Sequence, residues 1–470
     1  MKKTLLPLVI LICLYNLNFA QTSSFVIHDT PLITTGNNPY VIDSGHLNAG
    51  LYPDIVVGTL AGNTVEIYIN NEDGTFASPI IKSLSQVNGI HIADLDGING
   101  NDVLASSYDG DKLVWYANNG NGTFADEATI VSGVDGPGTI VTGMIDAGST
   151  LDIALAVYGN GNLGDTDRVI WLANDGSWTA SDVFPATAGL GPGDIDIADV
   201  DGDTDLDIVV ANTDAGTVEL YYNNYNPLTD NDPVSFTESA GGDISTGNAY
   251  LFDISFADID DDLDIDILKV DLDAPGEIAC YKNSSGIFTE DIISNTHPYP
   301  SKVFAIDFNN DTYTDIVAVD GLNANDDVFW FESDDMGNLG TETPVTDNNV
   351  HNQIYSFTMA DFDNDGNIDL ATIGFQDGTL KWIENQLDLL SIEDNLFNSL
   401  SIYPNPTKDI LNFKGNYSET LNVSVYDVLG KNILNKSVDI NSTLDVSKLK
   451  SGLYILKFED FNNTFKFIKE

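Results

Sequence analysis

Residues 197–210 read IADVDGDTDLDIVV, and this stretch decides the fold. Aspartate recurs at every second position from Asp199 to Asp207, and an apolar run begins directly afterwards at Ile208. Aspartate and glycine favour tight turns, whereas a short run of β-branched residues favours a strand. The stretch therefore predicts an acidic turn that leads into a buried strand.

The same acidic turn recurs along the chain, at intervals of about 50 residues. Its last acidic residue marks the register and falls at Asp54, Asp102, Asp152, Asp207, Asp266, Asp315 and Asp369. Each of the seven units has room for about four short strands, separated by hairpin signals such as Asp109-Gly110 and Asp377-Gly378. Four strands per repeat of this length are typical of β-propeller blades. We therefore expect an all-β chain that contains a seven-bladed β-propeller.

The ends of the repeat region predict how the propeller closes. The seventh unit stops after residues 382–385, one strand short of the others, while residues 24–28 form an unassigned strand near the N-terminus. Pairing of that strand with the last unit would remove two exposed sheet edges. We predict that the N-terminal strand completes the seventh blade.

Four segments follow from composition. Residues 1–20 have two lysines and then an apolar run too short to span a bilayer, which predicts a signal peptide cleaved near Ala20. The propeller is expected over residues 21–388, a linker over 389–398, and a second small all-β domain over 399–470. Cys280 lies in an apolar strand pattern, and we expect a buried, inert thiol. No membrane span is expected after the signal peptide.

The charge is strongly negative, with 73 acidic residues against 18 lysines and arginines. The excess lies before residue 391, and the propeller region has only seven basic residues. Binding to a phosphate backbone or to an anionic membrane surface needs clustered basic residues, so neither partner is expected. The large apolar and aromatic content argues against disorder and predicts a folded protein. We expect it to be a monomer.

Four of the turns carry oxygen ligands at positions one, three, five and nine, and position seven varies in side chain. The predicted sets are Asp199, Asp201, Asp203, Asp205 and Asp207; Asp258, Asp260, Asp262, Asp264 and Asp266; Asp307, Asn309, Asp311, Tyr313 and Asp315; and Asp361, Asp363, Asp365, Asn367 and Asp369. Hard oxygen donors at alternate positions of a tight loop suit Ca²⁺, whereas Mg²⁺ demands a stricter octahedron. One such loop would be ambiguous, since solvated acidic turns are common. Four with the same spacing predict calcium.

The other three turns are weaker candidates. The second unit keeps Asp94, Asp96 and Asp102 but has Ile98 at position five, so the predicted total is four to five Ca²⁺ ions. The first and third units have lost most ligands and are predicted to be metal-free; they retain His46, Asn48 and Asp54, and Met144, Asp146 and Asp152.

Residues 22–388 resemble the FG-GAP or VCBS-type repeats of integrin-α-like propellers. The acidic turns carry the resemblance, together with aromatic-Asn segments such as 115–118 and 171–174. The C-terminal segment resembles a type A sorting domain of the type IX secretion system of Bacteroidota, in residues 402–407, 423–431 and 444–456. That resemblance implies a small β-sandwich that engages the secretion machinery, directs the chain across the outer membrane and is usually removed afterwards. The mature protein is then expected to be secreted or held on the cell surface.

Two functions remain open at this point. The propeller is either a non-catalytic module for adhesion or for binding a glycan or surface protein, or an extracellular polysaccharide lyase or hydrolase. The small number of basic residues and the lack of a histidine motif favour the binding module. Polar residues on the predicted inner strands could line a site, or could merely solvate a central channel; they are His91, Asp194, Asp196, Asp253, Ser255, Lys302 and Thr358.

Overall fold

The computed structural model divides the chain into two units, residues 1–385 and 386–470. All regular secondary structure in the described residues is β-strand. The described residues are 25–34, 37–146, 148–160, 167–184, 190–225, 234–240, 242–247, 250–272, 276–321, 327–334, 337–346, 350–387, 401–414, 420–427, 431–439, 442–458 and 464–470. The predicted signal peptide (1–20) and linker (389–398) lie outside them.

In its described residues the first unit forms seven antiparallel sheets, numbered as blades one to seven. The first strand of the chain is β1 (Phe25–Thr34). Blade one comprises β2 (Pro39–Gly45), β3 (Asp54–Thr59), β4 (Thr64–Tyr68) and β5 (Ile80–Ser83). Blade two comprises β6 (Val87–Ala93), β7 (Asp102–Ser107), β8 (Lys112–Tyr116) and β9 (Ala128–Ser132). Blade three comprises β10 (Pro137–Gly143), β11 (Asp152–Val157), β12 (Arg168–Ala173) and β13 (Thr179–Asp182).

The remaining blades follow the same order of strands. Blade four comprises β14 (Pro192–Ala198), β15 (Asp207–Asn212), β16 (Thr217–Asn223) and β17 (Phe236–Glu238), and β18 (Ser245–Thr246) also pairs with β16. Blade five comprises β19 (Leu251–Ala257), β20 (Asp266–Asp271), β21 (Glu277–Ser284) and β22 (Ile287–Ser294). Blade six comprises β23 (Pro300–Ile306), β24 (Asp315–Asp320), β25 (Asp327–Phe331) and β26 (Thr343–Pro344). Blade seven comprises β27 (Ile354–Ala360), β28 (Asp369–Gly374), β29 (Thr379–Asn385) and β1.

The seven blades form a closed ring. The first strands of successive blades, called inner strands below, contact one another in the order β2, β6, β10, β14, β19, β23 and β27, and β27 contacts β2. Strand β1 pairs antiparallel with β29, with Phe25 opposite Asn385 and Ile27 opposite Ile383. The predicted completion of blade seven by the N-terminal strand is confirmed, and the seven sheets agree with the predicted number of blades.

The core of the propeller lies between neighbouring blades. Every residue of each second strand is buried, because adjacent blades cover both of its faces. Between blades one and two, for example, Val56 and Val65 join Val103 and Val114 in one apolar cluster. This two-sided burial explains why the second strands read as continuous apolar runs rather than as alternating ones. Cys280 is buried on β21, as predicted.

Buried asparagines link blades to their neighbours. In five blades an asparagine lies at or just after the end of the third strand. Its side-chain amide donates to a backbone carbonyl of the preceding blade, that of the second residue in the loop between the first and second strands. The pairs are Asn70 to Phe362, Asn118 to Leu47, Asn174 to Leu95, Asn223 to Ile145 and Asn385 to Phe308, at 2.8–3.0 Å. The aromatic-Asn segments of the sequence therefore have a structural role, since their asparagines hold the ring together.

The second unit is a small β-sandwich. One sheet contains β30 (Ser401–Tyr403), β31 (Ile410–Lys414) and β34 (Thr443–Asp445). The other contains β32 (Thr420–Asp427), β33 (Asn432–Asp439), β35 (Gly452–Phe458) and β36 (Thr464–Lys469). Phe413 and Leu444 of the first sheet share one buried cluster with Val425, Phe458 and Phe467 of the second. The expected sandwich is therefore present.

Candidate metal loops and channel mouth

The loop between the first and second strands of every blade ends in a buried aspartate, called the ninth aspartate here. In all seven blades its Oδ2 accepts the N–H of the loop's second residue. Its Oδ1 accepts the N–H of the residue at or just after the end of the third strand. These residues are Asp54, Asp102, Asp152, Asp207, Asp266, Asp315 and Asp369, with N···O distances of 2.7–3.1 Å. Because it is also present in the two loops with few ligands, the ninth aspartate is a structural residue of every blade.

Four loops share a second feature, and we call them the acidic loops: residues 199–207, 258–266, 307–315 and 361–369. In each, the first aspartate accepts backbone N–H groups from positions five and six on its two oxygens. For Asp199 the donors are Asp203 at 3.0 Å and Thr204 at 2.9 Å, and the other three loops repeat this geometry. Position six takes a positive φ in all four, between 74° and 100°. The loops therefore wind their first, third and fifth side chains around one point.

Three acidic loops bring three carboxylates together, with one oxygen of each lying within 4.8 Å of the others. These clusters could hold a metal ion, and they are Asp199, Asp201 and Asp203; Asp258, Asp260 and Asp262; and Asp361, Asp363 and Asp365. The loop of blade six has the same hydrogen bonds around Asp307 and Asp311 but carries Asn309 at position three.

The residue at position seven differs between the acidic loops, as the sequence shows: it is Asp205, Asp264, Tyr313 or Asn367. In each loop its backbone N–H donates to the aspartate at position five, at 2.8–3.0 Å. The Asp264 carboxylate accepts the N–H of Ser285, and the Asn367 amide donates to the carbonyl of Asn385. The Tyr313 side chain is partly exposed.

The electrostatics of the acidic loops favour a bound cation. Burial, reinforced by Asp201 and Asp203, raises the pKa of Asp207 to about 7. Burial, reinforced by Asp363 and Asp365, raises the pKa of Asp369 to about 8. Such shifts mean that the grouped carboxylates resist ionising together, and a cation among them would remove that resistance.

The loop of blade two is intermediate between the acidic loops and the loops of blades one and three, which have few candidate ligands. It winds as the acidic loops do, with positive φ at Gly97 and Asn99, and Asp94, Asp96 and Asp102 form a fourth carboxylate cluster. Position five is Ile98, whose side chain is 57% exposed and offers no oxygen.

The loops of blades one and three differ from the acidic loops in backbone as well as in side chain. Within their described residues neither contains a positive φ. In blade one the Asn48 amide donates to Asp54, and in blade three the Asp146 N–H donates to Asp152. In both loops, therefore, the third residue of the loop donates a hydrogen bond to the ninth aspartate.

At the channel, aspartates of the inner strands accept hydrogen bonds from the next blade. Asp43 accepts the N–H of Ile92. Asp194 and Asp196 accept those of Ile254 and Phe256, and Asp253 accepts that of Val303, all at 2.8–2.9 Å. Of the other polar residues predicted on inner strands, His91 contacts Thr142, Thr358 contacts Ser44, and the Ser255 hydroxyl is buried with no hydrogen-bond partner among the described residues. Most of these residues therefore form hydrogen bonds between blades, a role different from the site lining or channel solvation expected from the sequence.

Three of them, Asp194, Asp253 and Lys302, also line a cavity of about 350 Å³, called the mouth cavity below. It lies where the inner strands begin, whereas the acidic loops follow the ends of the same strands. Its aromatic residues come from blades one, two, three, five and seven and are Tyr40, Tyr108, Tyr158, Tyr250, Phe252 and Tyr355. Sequence reasoning missed these tyrosines, because they are far apart in the chain and follow no motif.

Charge in the mouth cavity centres on one ion pair. Lys302 Nζ lies 2.6 Å from Asp253 Oδ1. Burial lowers the pKa of Lys302, but Asp253 and Asp194 outweigh it and raise that pKa above the usual value. Burial, and then the nearby Asp253, raises the pKa of Asp194 to about 8. Lys302 therefore stays charged, and its ammonium group interacts electrostatically with both Asp253 and Asp194.

Two family models match the chain: an FG-GAP-like repeat over residues 307–372 and a secretion system C-terminal sorting domain over residues 401–470. The chain thus contains an FG-GAP-like repeat in its propeller and a secretion sorting domain at its C-terminal end. The FG-GAP match begins and ends within the blades that carry the last two acidic loops. The sorting domain corresponds to the β-sandwich, although residues 428–430 of its predicted motif lie outside the described residues.

The chain is similar to two solved structures at low sequence identity. A catalytically inactive virginiamycin B lyase from Staphylococcus aureus, solved with quinupristin, is 14% identical; the alignment covers 76% of this chain and 99% of the lyase, with a TM-score of 0.48. Sqt1 from Saccharomyces cerevisiae is 10% identical, with 75% of this chain and 97% of Sqt1 covered and a TM-score of 0.47. No curated protein matches the chain.

The sorting domain determines where the FG-GAP propeller is delivered. A type IX sorting domain interacts with the secretion machinery and gives a secreted or cell-surface location. Within the described residues, no helix is long and apolar enough to cross a membrane.

Proposed function

We propose that this FG-GAP propeller is a non-catalytic, calcium-bound module that binds a glycan or a surface protein outside the cell. The observation that carries the proposal is the mouth cavity, a concave, aromatic-lined site at the end of the channel away from the acidic loops. Ligand sites are typically concave and largely apolar, with a few convergent polar groups. The raised pKa of Tyr158, caused by burial and by its hydrogen bond to Asp214, makes this tyrosine a poor general base. The same holds for Lys302, so binding without turnover is the better-supported role.

We further propose Ca²⁺ in the four acidic loops and a fifth, weaker ion in blade two. The ligand sets are those predicted from the sequence, including the ninth aspartates. Two buried carboxylate oxygens, Asp205 Oδ2 and Asp260 Oδ1, have no hydrogen-bond partner among the described residues, and such oxygens suit a hard cation. A bound ion would neutralise the loops and hold them in place, at one end of the ring.

The proposed division of the chain is a signal peptide at 1–20, the propeller at 21–388, a linker at 389–398 and the sorting domain at 399–470. The mature propeller would then act alone, after the sorting domain has met the type IX machinery.

The binding role is tested with the full secreted chain in calcium on arrays of glycans and surface proteins. We expect retention of a ligand without turnover, and at least a tenfold loss for Tyr250→Ala, whose side chain is 39% exposed at the mouth cavity. Tyr52→Ala, in the loop at the other end of the blade-one inner strand, is the matched control and should bind normally. If both variants bind the ligand equally well, the proposed site is wrong.

A hydrolase is the second candidate, for one reason. Asp194, with a pKa of about 8, would be protonated near neutral pH and could act as a general acid beside Asp253, which pairs with Lys302. Release of shortened oligosaccharides by the wild-type chain, lost in Asp194→Asn, would favour this candidate over the binding module.

A further inference from the structure

The mouth cavity has more negative than positive charge among its described lining residues. Lys302 is the only basic residue in that lining, and it faces both Asp194 and Asp253. Its ammonium group pairs directly with Asp253, whose other oxygen accepts the N–H of Val303. Asp194 accepts the N–H of Ile254 on Oδ2 and has no cation of its own. The floor of the cavity therefore lacks one positive charge when both carboxylates are ionised.

The walls of the cavity favour the same kind of group. Tyr40, Tyr108, Tyr250 and Tyr355 line this one cavity together. Tyr40 and Tyr355 pack with ring centroids 5.4 Å apart, and Phe252 and Tyr355 at 6.2 Å. The negative faces of aromatic rings attract organic cations, most strongly where water is excluded. Lys302 already shows this preference, since its Nζ lies 5.2 Å from the centroid of Phe304.

We infer that the ligand of the mouth cavity carries an ammonium group, which binds beside Asp194 and against the tyrosine rings. The inference rests on the proposed binding function and specifies its chemistry. An ammonium ligand would give the ionised form of Asp194 its counter-charge, whereas with a neutral ligand the raised pKa of Asp194 leaves this carboxyl protonated near neutral pH. An anionic ligand would meet Asp253 and the strong negative charge of the propeller. The ammonium group could belong to an amino sugar or to a lysine side chain, which present the same chemistry.

The test is isothermal titration of the full secreted chain, in calcium, with four small probes. Glucosamine and Nα-acetyllysine methylamide carry the ammonium group, while N-acetylglucosamine and glucose are neutral analogues of the first. We expect both ammonium probes to bind at least about tenfold more tightly than the neutral pair. Comparison of the two ammonium probes shows whether a sugar or a side chain is the better carrier.

Two variants locate the effect. Asp194→Asn keeps the acceptor for the Ile254 N–H and should reduce ammonium binding about tenfold without reducing the melting temperature. Tyr250→Leu keeps the carboxylate, removes one aromatic face and should reduce ammonium binding several-fold. The control is Asp291→Asn, on an exposed outer strand, which changes the net charge equally and should bind as the wild type does.

The outcomes separate the two proposals. If neutral and cationic probes bind equally, and Tyr250→Leu weakens both while Asp194→Asn weakens neither, the ammonium inference is overturned and the binding site stands. If only the ammonium probes bind but Asp291→Asn weakens them as much as Asp194→Asn, the attraction is the general charge of the chain, and the inference is again overturned. If no probe binds the wild type, the inference fails, and the ligand arrays decide the binding function separately.

Discussion

The acidic loops of blades four to seven and the loops of blades one and three occupy the same place in the fold but differ in charge. Both classes keep the ninth aspartate, with the same two backbone N–H donors. Only the acidic loops add carboxylates at the first, third and fifth positions, with Asn309 replacing the third in blade six, together with a positive φ at position six. The ninth aspartate therefore joins the loop to the third strand in every blade, with or without further acidic residues. The carboxylates that could bind a metal ion are an additional feature of the acidic loops.

The two classes therefore depend differently on solvent conditions. In blade one, Asn48 satisfies the ninth aspartate with a neutral amide, so the loop needs no ion. In the acidic loops, burial raises the pKa of the ninth aspartate and the neighbouring carboxylates add to that rise, so the loop is at its most stable only with a cation or with bound protons. Four predictions test this difference, in order of decreasing effect.

Removal of divalent cations should separate the two classes most clearly. Each ion present at 100 times its dissociation constant contributes about 2.7 kcal/mol, so four loops would lose on the order of 10 kcal/mol in chelator. Hydrogen exchange should then show faster exchange of the amides at positions five and six of the acidic loops. The loops of blades one and three should keep their protection. Equal loss of protection in all seven loops, or no loss in any, would contradict the proposed calcium sites.

Substitution of the ninth aspartate should be costly in both classes but should depend on calcium in only one. Asp54→Asn loses one acceptor for a buried N–H and should cost about 2–4 kcal/mol in the free energy of unfolding, with or without chelator. Asp207→Asn should cost more in calcium than in chelator, because without an ion the pKa of about 7 leaves this carboxyl partly protonated and closer to an amide. Denaturant unfolding in both buffers measures the difference. An equal calcium dependence of the two variants would show that Asp207 is purely structural.

Removal of the asparagine links should have a smaller effect that differs between blades. Asn118→Ala leaves the carbonyls of Leu47 and Asn101 without their buried donor, and we expect a loss of about 1–3 kcal/mol. Among the described residues, the Asn283 amide donates only to the carbonyl of Ile265 in its own blade, so Asn283→Ala should cost about 1 kcal/mol less. Denaturant unfolding of the two variants side by side provides the measurement. A larger loss for Asn283→Ala would mean that the link between blades contributes little.

Conversion of the blade-two loop into an acidic loop should have the smallest effect. Ile98→Asp supplies the missing oxygen at position five, and we expect one additional tightly bound Ca²⁺ with a gain of about 1 kcal/mol in calcium. In chelator the added charge should lower stability. Ile98→Ala, which removes the exposed side chain without adding a ligand, is the control. An unchanged calcium stoichiometry in Ile98→Asp would mean that side chains alone do not make an acidic loop.

The sequence determined the repeat, the strands and the positions of the candidate metal loops, because all of these are local. The spacing of the acidic turns requires only a few neighbouring residues, and the period of the repeat predicts one blade at a time. Even the long-range pairing of β1 with β29 followed from counting strands, since an open ring would leave edges exposed. The sorting domain could likewise be predicted from contiguous motifs.

Only the tertiary structure decided which residues meet across blades. The ninth aspartate read as a metal ligand, and its two backbone donors, one of them sixteen or more residues away, became visible only in the folded ring. From the sequence, the polar inner-strand residues were either the lining of a site or channel solvation, yet Asp194 and Asp253 each also accept a hydrogen bond from the next blade. The tyrosines of the mouth cavity come from five blades, and no local pattern relates them. Closure of the ring brings them together, because it places the first residues of every inner strand around one axis.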